Sequence, residues 1–153
     1  MKFNLAFLCT VTLVLIFSCA PRKHSLSAMN EGLKGQVTFI SGNQMPGPGV
    51  IKGQSTGVKR KVRIYALTTA ADAEGTAPLF KAVHAKLLAT VETDAAGFFQ
   101  CRLKAGTYSV FTEEADGMLF SALSDGNGGL SPVEIQPNHI TTYNIQINNQ
   151  AVY

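Results

Sequence analysis

The sequence has 153 residues, of which 46% are hydrophobic and 15% are charged, and its formal net charge is only +3. This length fits one domain that can bury a hydrophobic core, and no second domain or internal repeat is present. The small, dispersed charge argues against a nucleic-acid-binding surface, so we expect no nucleic-acid partner.

The N-terminus has the pattern of a signal peptide. Lys2 precedes an uncharged apolar run from Leu5 to Phe17, which corresponds to the n-region and h-region of such a peptide. As a helix this run would span roughly 20 Å, short of the roughly 30 Å of a bilayer core. We therefore predict that residues 1–18 are a signal peptide and not a permanent transmembrane anchor.

Two cleavage sites are compatible with the end of the apolar run. Ordinary signal peptidase would cut after Ala20 and place Pro21, a poor residue at that position, directly after the scissile bond. The alternative is cleavage before Cys19, because Ile16-Phe17-Ser18-Cys19 resembles the lipobox of bacterial lipoproteins. We favour this second site. The resemblance implies that Cys19 is lipidated and anchors the mature protein to a membrane.

Residues 19–33 are predicted to be a flexible tether between this anchor and a domain that occupies residues 34–153. The tether begins with the basic stretch Ala20-Pro-Arg-Lys-His24, whereas lipoproteins sent to the outer face of some bacteria often carry acidic residues there. We expect a lipid-anchored protein of the bacterial cell envelope that faces the periplasm rather than the cell exterior.

From Gly35 onward, short β-branched or aromatic runs alternate with Gly, Pro, Asn and Asp. No apolar 3.6-residue period persists beyond about two turns. This pattern predicts an all-β fold. The predicted strands are 35–41, 62–67, 87–93, 98–103, 107–112, 133–135 and 140–147, with a further short strand near 118–122.

The clearest predicted strand, 98–103, is bracketed by two hairpin turns. Phe99, Cys101 and Leu103 alternate with polar residues, so we expect them to face the core, with Cys101 as a buried hydrophobe rather than a reactive thiol. Gly97 and Gly106 suit the positive φ that such turns often require.

The predicted last strand alternates in the same way, and the face that we expect to be buried carries Thr141, Tyr143, Ile145 and Ile147. A closing strand this regular normally completes a sheet, which favours a two-sheet sandwich over an open meander.

Two segments interrupt the strand pattern. Residues 42–49 are rich in Pro and Gly, which excludes a helix or a central strand and predicts a loop. Residues 68–85 are predicted to form a loop with one helical turn before Gly75, after which Leu79, Phe80 and Val83 pack back. Such loops often carry recognition, but the sequence does not assign a role to 42–59 or 68–85.

The sequence does not support metal or cofactor chemistry. His24, His84 and His139 lack the spacing of a zinc enzyme. Residues 125–129 are better interpreted as a glycine-rich turn than as a calcium loop, because Gln136 stands where a bidentate glutamate belongs. No nucleophile motif is present. We expect no metal, no cofactor and no enzymatic activity.

Two charged clusters have simple structural interpretations. The basic residues Lys59, Arg60, Lys61 and Arg63 are predicted to form the solvated lip of a strand rather than a phosphate site. Adjacent residues on a strand point to opposite faces, so Glu113 and Glu114 are interpreted as a solvated hairpin end rather than an acid/base pair.

The domain resembles the carboxypeptidase regulatory-like domain. The motifs that carry the resemblance are Gly35-Gln-Val37, Thr93-Asp94-x-x-Gly97-x-Phe99-x-x-x-Leu103 and Gly106-x-Tyr108-x-Val110. The resemblance, which extends to a group of small bacterial lipoproteins, implies an immunoglobulin-like or transthyretin-like two-sheet sandwich of seven or eight strands. It also implies a role in binding or scaffolding rather than catalysis.

Phe98 and Phe111 fall on the outward register of neighbouring predicted strands and are the candidate binding surface. We expect this surface to contact another envelope protein. A carbohydrate-binding or delivery module is the alternative that the outward aromatic residues leave open. The sequence does not identify a small-molecule ligand.

Overall fold

The computed structural model describes residues 29–49, 53–121 and 123–153. The predicted signal peptide, Cys19 and most of the tether lie outside the described residues. Within them, one 3-10 turn (Ala70–Asp72) accompanies twelve strands: β1 (Gly32–Asn43), β2 (Thr56–Gly57), β3 (Lys61–Ala66), β4 (Ala73–Thr76), β5 (Leu79–Val83), β6 (Leu87–Glu92), β7 (Phe98–Cys101), β8 (Gly106–Glu113), β9 (Leu119–Phe120), β10 (Pro132–Ile135), β11 (Ile140–Thr142) and β12 (Ile145–Val152).

The strands form a sandwich of a five-stranded and a seven-stranded sheet, which confirms the all-β, two-sheet prediction. The strand count exceeds the predicted seven or eight for three reasons. The two-residue β2 and the β4–β5 hairpin lie in segments that we predicted as loops, and the last predicted strand is divided into β11 and β12. No helix in the described part is long and apolar enough to cross a membrane.

The first sheet is built around the long strand β1. The first half of β1 lies between β11, which runs parallel to it, and β7, which runs antiparallel. The second half lies between the parallel β12 and the antiparallel β2. The division between β11 and β12 has a local cause, because the backbone N–H of Gln36 donates to the side-chain Oδ1 of Asn144 (3.0 Å) instead of to a backbone carbonyl.

The second sheet has the order β4-β5-β9-β8-β3-β6, and β10 pairs with the first half of β8. The main core lies between the two sheets and includes the predicted inward residues Phe99 and Ile147. Its other buried members are Leu33, Val37, Val62, Ile64, Val110, Phe120, Val133 and Ile135.

A second hydrophobic cluster lies on the outer face of the second sheet and consists of Tyr65, Phe80, Phe111, Leu119 and Leu130. The packing back of the 68–85 segment is confirmed, because Phe80 on β5 is buried in this cluster. The prediction that Phe111 is exposed is wrong. Phe111 is on the outward register of β8, but the β4–β5 hairpin and Leu130 cover it, and its exposed fraction is 0%.

Candidate functional site

The described residues form an open groove of about 970 Å³. It lies where the outer face of the first sheet meets the end of β6. We name it the Phe98 groove. The side chains that line it come from β1, β7, the end of β11 with the residues after it, and the β6–β7 turn. They include Lys34, Gln36, Asp94, Phe98, Gln100 and Asn144.

The β6–β7 turn fixes the position of Phe98. The Asp94 carboxylate accepts hydrogen bonds from the backbone N–H groups of Ala96 (2.9 Å) and Phe98 (2.8 Å). The Asp94 N–H donates to the Phe98 carbonyl (2.9 Å), and Gly97 takes a φ of 85°, as its predicted role in the turn requires. Phe98 is 55% exposed. The hydrogen bonds of the turn hold its backbone in place.

Two amide side chains connect this turn to the rest of the groove. Gln36 Nε2 donates to the carbonyl of Ala96 (2.9 Å), and the Asn144 side chain holds the Gln36 backbone N–H. Gln36 thus joins the turn to the C-terminal part of the sheet. These hydrogen bonds orient the amide groups beside Phe98 before any ligand arrives, which lowers the entropic cost of binding.

The formal charges in the groove balance. Lys34 and Lys59 contribute two positive charges, and Glu92 and Asp94 contribute two negative charges. Lys59 Nζ lies 3.5 Å from Glu92 Oε2 in an exposed ion pair. Because no charge predominates, the groove suits a neutral, polar surface that can also contact an aromatic ring. It suits a strongly charged ligand less well.

The basic residues at the start of β3 and just before it are paired with carboxylates. Arg63 Nε donates to Glu113 Oε2 at 2.6 Å, and Lys61 Nζ lies 3.4 Å from Glu113 Oε1. Arg60 Nε lies 3.4 Å from Glu114 Oε2. These residues lie at the start of β3, as the interpretation of a strand lip predicts, but Arg60 and Arg63 are half-buried rather than fully solvated.

Glu113 and Glu114 occupy different environments. The hydrogen bond from Arg63 is the main reason that the pKa of Glu113 is lowered. Burial is the main reason that the pKa of Glu114 is raised, and its Oε1 is buried without a hydrogen-bond partner. Glu113 is paired with Arg63 and Lys61, whereas Glu114 is paired with Arg60. The two carboxylates therefore do not share one site as a catalytic pair would.

The described residues contain no group of three or more His, Cys, Asp or Glu side chains that could hold a metal ion. His84 Nε2 lies 2.8 Å from Glu74 Oε1 on the exposed β4–β5 hairpin. Asp125 accepts hydrogen bonds from the N–H groups of Asn127 (2.7 Å) and Gly129 (2.9 Å). Its carboxylate therefore closes a glycine-rich turn, in agreement with the sequence interpretation.

Cys101 packs against the main core, as its place in the alternation of β7 predicts, but it is only partly buried and not the buried core residue that we expected. Burial raises the pKa of its thiol. A raised pKa lowers the thiolate fraction at neutral pH, so this environment is that of a structural rather than a reactive cysteine.

The structure separates the two aromatic residues that the sequence placed on one surface. Phe98 lies in the groove of the first sheet, whereas Phe111 is buried in the second sheet. Gln36 and Asn144 were missed because they lie 108 residues apart in the chain. The outward alternation of Lys34 and Gln36 was a usable signal, but their meeting with Asn144 depends on the parallel pairing of β1 with the C-terminal strands.

Comparison with known protein families, with curated protein sequences and with solved structures finds no match for this chain.

Proposed function

We propose that this protein is a lipid-anchored, non-catalytic lipoprotein of the bacterial envelope whose β-sandwich binds another envelope protein through the Phe98 groove. The observation that carries the proposal is the 55% exposed Phe98 in a charge-balanced groove, on a turn whose backbone is hydrogen-bonded to Asp94. A large aromatic side chain kept in water on a fixed turn is typical of an interaction surface, because aromatic residues supply much of the binding energy of interfaces.

The sequence supports the other parts of the proposal. The lipobox-like Ile16-Phe17-Ser18-Cys19 supports a lipid anchor at Cys19 that faces the periplasm. The resemblance to the carboxypeptidase regulatory-like domain, with its transthyretin-like sandwich, supports an accessory binding role. The sequence has neither a nucleophile motif nor the histidine spacing of a zinc enzyme, which supports the non-catalytic assignment.

A photocrosslinking amino acid at position 98, introduced into the full chain in intact cells, tests the groove directly. We expect the crosslinker at position 98 to form an adduct with a defined envelope protein. The same crosslinker at position 88 should form no such adduct. Leu88 is a matched control because it is also an exposed hydrophobic residue, on the neighbouring β6. No adduct at position 98, or identical adducts at both positions, would contradict a specific partner at this groove.

The anchor has a separate test. The Cys19→Ala variant should lose metabolic labelling with a radioactive fatty acid and accumulate as the uncleaved precursor. Cys101→Ala is the matched control, since its partly buried side chain lies in the sandwich, and it should be labelled and processed as the parent is. Unchanged labelling of Cys19→Ala would overturn the lipoprotein assignment.

Carbohydrate binding is the second candidate, and the composition of the groove favours it specifically. An aromatic face stacks on the apolar face of a sugar ring, and amide side chains both donate to and accept from hydroxyl groups. Phe98 is accompanied in the groove by the amides of Gln36, Gln100 and Asn144. Binding to a glycan array that Phe98→Ala abolishes and Phe98→Tyr retains would support this function, whereas silence of the parent on the array would contradict it.

A further inference from the structure

β12 (Ile145–Val152) forms an open edge of the first sheet. It pairs with β1 alone, so its other backbone edge has no neighbouring strand among the described residues. With eight residues it is the longest edge strand in the described part of the chain. An open strand edge offers a row of unpaired N–H and C=O groups to another chain.

This edge lacks the residues that proteins commonly use to prevent edge pairing. Charged residues and prolines discourage such pairing, and the edge strands of the second sheet contain them: Glu74 on β4, Glu92 on β6, and Pro132 with Glu134 on β10. The other edge strands of the first sheet, β2, β7 and β11, are uncharged as well, but they have two to four residues each. β12 has the sequence Ile-Gln-Ile-Asn-Asn-Gln-Ala-Val, without a charge, a proline or a glycine. A bulge between Ile147 and Gln150 divides the strand into 145–147 and 150–152, and bulges are one of the features that hinder edge pairing.

A cavity of about 250 Å³ adjoins the first part of this strand and has both apolar and polar walls. Ile145, Gln146 and Asn148 line it together with the apolar Val110, Phe120 and Leu123 and the polar Ser121 and Ser131. Leu123 is 56% exposed. A strand added to β12 would lie next to this cavity, so hydrophobic burial would reinforce the backbone hydrogen bonds of the pairing.

We propose that two copies of this chain associate by antiparallel pairing of their β12 edges. In a two-fold antiparallel pair only a residue near the symmetry axis faces its own counterpart, and a charged residue there would meet a like charge. β12 carries no charge at any position, so self-pairing meets no such repulsion in any register. This inference goes beyond the proposed function and does not depend on it, because the Phe98 groove lies on β7 and the outer face rather than on the β12 edge.

The oligomeric state of the detergent-solubilised full chain tests the pairing. We expect a dimer by sedimentation equilibrium, and a double variant Gln146→Lys/Gln150→Lys whose dimer dissociation constant is higher by roughly 100-fold, since like charges are then opposed. Thr90→Lys is the matched control, because it adds a lysine to an exposed position of the edge strand β6, and it should remain dimeric. Circular dichroism should show the same β-sheet spectrum for all three proteins.

Cysteine crosslinking in intact cells locates the contact. Among single variants Gln146→Cys, Asn148→Cys and Thr90→Cys, we expect an additional disulfide-linked dimer at one or both β12 positions and none at position 90. A parent chain that stays monomeric up to about 100 µM, or a dimer that the two lysines on β12 leave unchanged, would overturn the proposal. Equal crosslinking at position 90 would overturn it as well.

Discussion

The two outer faces of the sandwich use the same strand register for opposite purposes. On the first sheet, the outward Phe98 is open to solvent in a groove with polar walls. On the second sheet, the outward Phe111 is fully buried against Tyr65 and Phe80, with ring centroids 5.5 Å and 6.1 Å apart in edge-to-face geometry. The register of a strand thus determines which face a residue occupies, but other parts of the chain determine whether that face meets water.

The covering of the second face has an identifiable source. The β4–β5 hairpin places Phe80 on Phe111, and the turn closed by Asp125 leads into Leu130. In the described residues, no comparable segment lies over the Phe98 groove. The difference separates a surface that stabilises the fold from one that is available for binding.

The largest expected effect comes from removing each aromatic ring. Phe111→Ala should lower the free energy of unfolding by about 3–5 kcal/mol, because a buried ring is replaced by a cavity. Phe98→Ala should change it by no more than about 0.5 kcal/mol, because the ring is exposed. Urea denaturation followed by circular dichroism measures both. Similar losses for the two variants would show that the faces do not differ as described.

A smaller effect is expected from the two aspartates that close turns on the opposite faces. Asp94→Ala and Asp125→Ala should each cost about 1–3 kcal/mol, because each removes a carboxylate that accepts two backbone hydrogen bonds. Only Asp125→Ala should expose the second cluster and increase binding of a hydrophobic dye, whereas only Asp94→Ala should reduce crosslinking at position 98.

The matched controls are Asp94→Asn and Asp125→Asn, which keep an oxygen acceptor and should lose less stability. If both alanine variants increased dye binding equally, the turn at residue 125 would have no special role in covering the second face.

The smallest effect concerns the charged end of the second sheet, where Glu113 follows Phe111 on the same face. The lowered pKa of Glu113 means that its ionised form stabilises the fold. This contribution is present above the ordinary pKa of glutamate and is lost as the pH falls through the lowered value. Glu113→Gln should therefore cost about 0.2–1 kcal/mol at neutral pH, and the difference from the parent should vanish in acid.

Glu114→Gln should change the free energy of unfolding in the opposite direction. Its raised pKa means that the ionised form is disfavoured in the folded state, a cost that is present at neutral pH and disappears as the pH falls below the ordinary value. The variant should be as stable as the parent or more stable at pH 7. Denaturant midpoints measured from pH 3 to pH 8 test both signs, with Glu134→Gln as an exposed control on β10.

The sequence was a good guide where one face of a strand is apolar. Alternation identified β7 and its buried residue Phe99. It also identified the inward face of the last strands, which contains the fully buried Ile147. The turn glycines Gly97 and Gly106 also have the expected positive φ values, 85° and 153°.

The elements that were missed depend on contacts between distant parts of the chain. β4 contains Gly75 and has little intrinsic strand preference, and it forms because β5 pairs with it and Phe80 is buried beneath. Phe111 was misjudged because outward residues of antiparallel sheets are commonly solvated. The groove residue Asn144 was missed because the parallel neighbour of β1 is decided by topology and not by local pattern.

The arrangement of β1 has a mechanical consequence. The chain enters the domain through this strand, which is flanked on both sides by β11 and β7 and then by β12 and β2. Hydrogen bonds of a sheet run across its strands, so tension along β1 loads many of them in shear at once instead of peeling them apart one by one. A pull on residues 29–31 would therefore act first on a strand that is hydrogen-bonded along both of its edges.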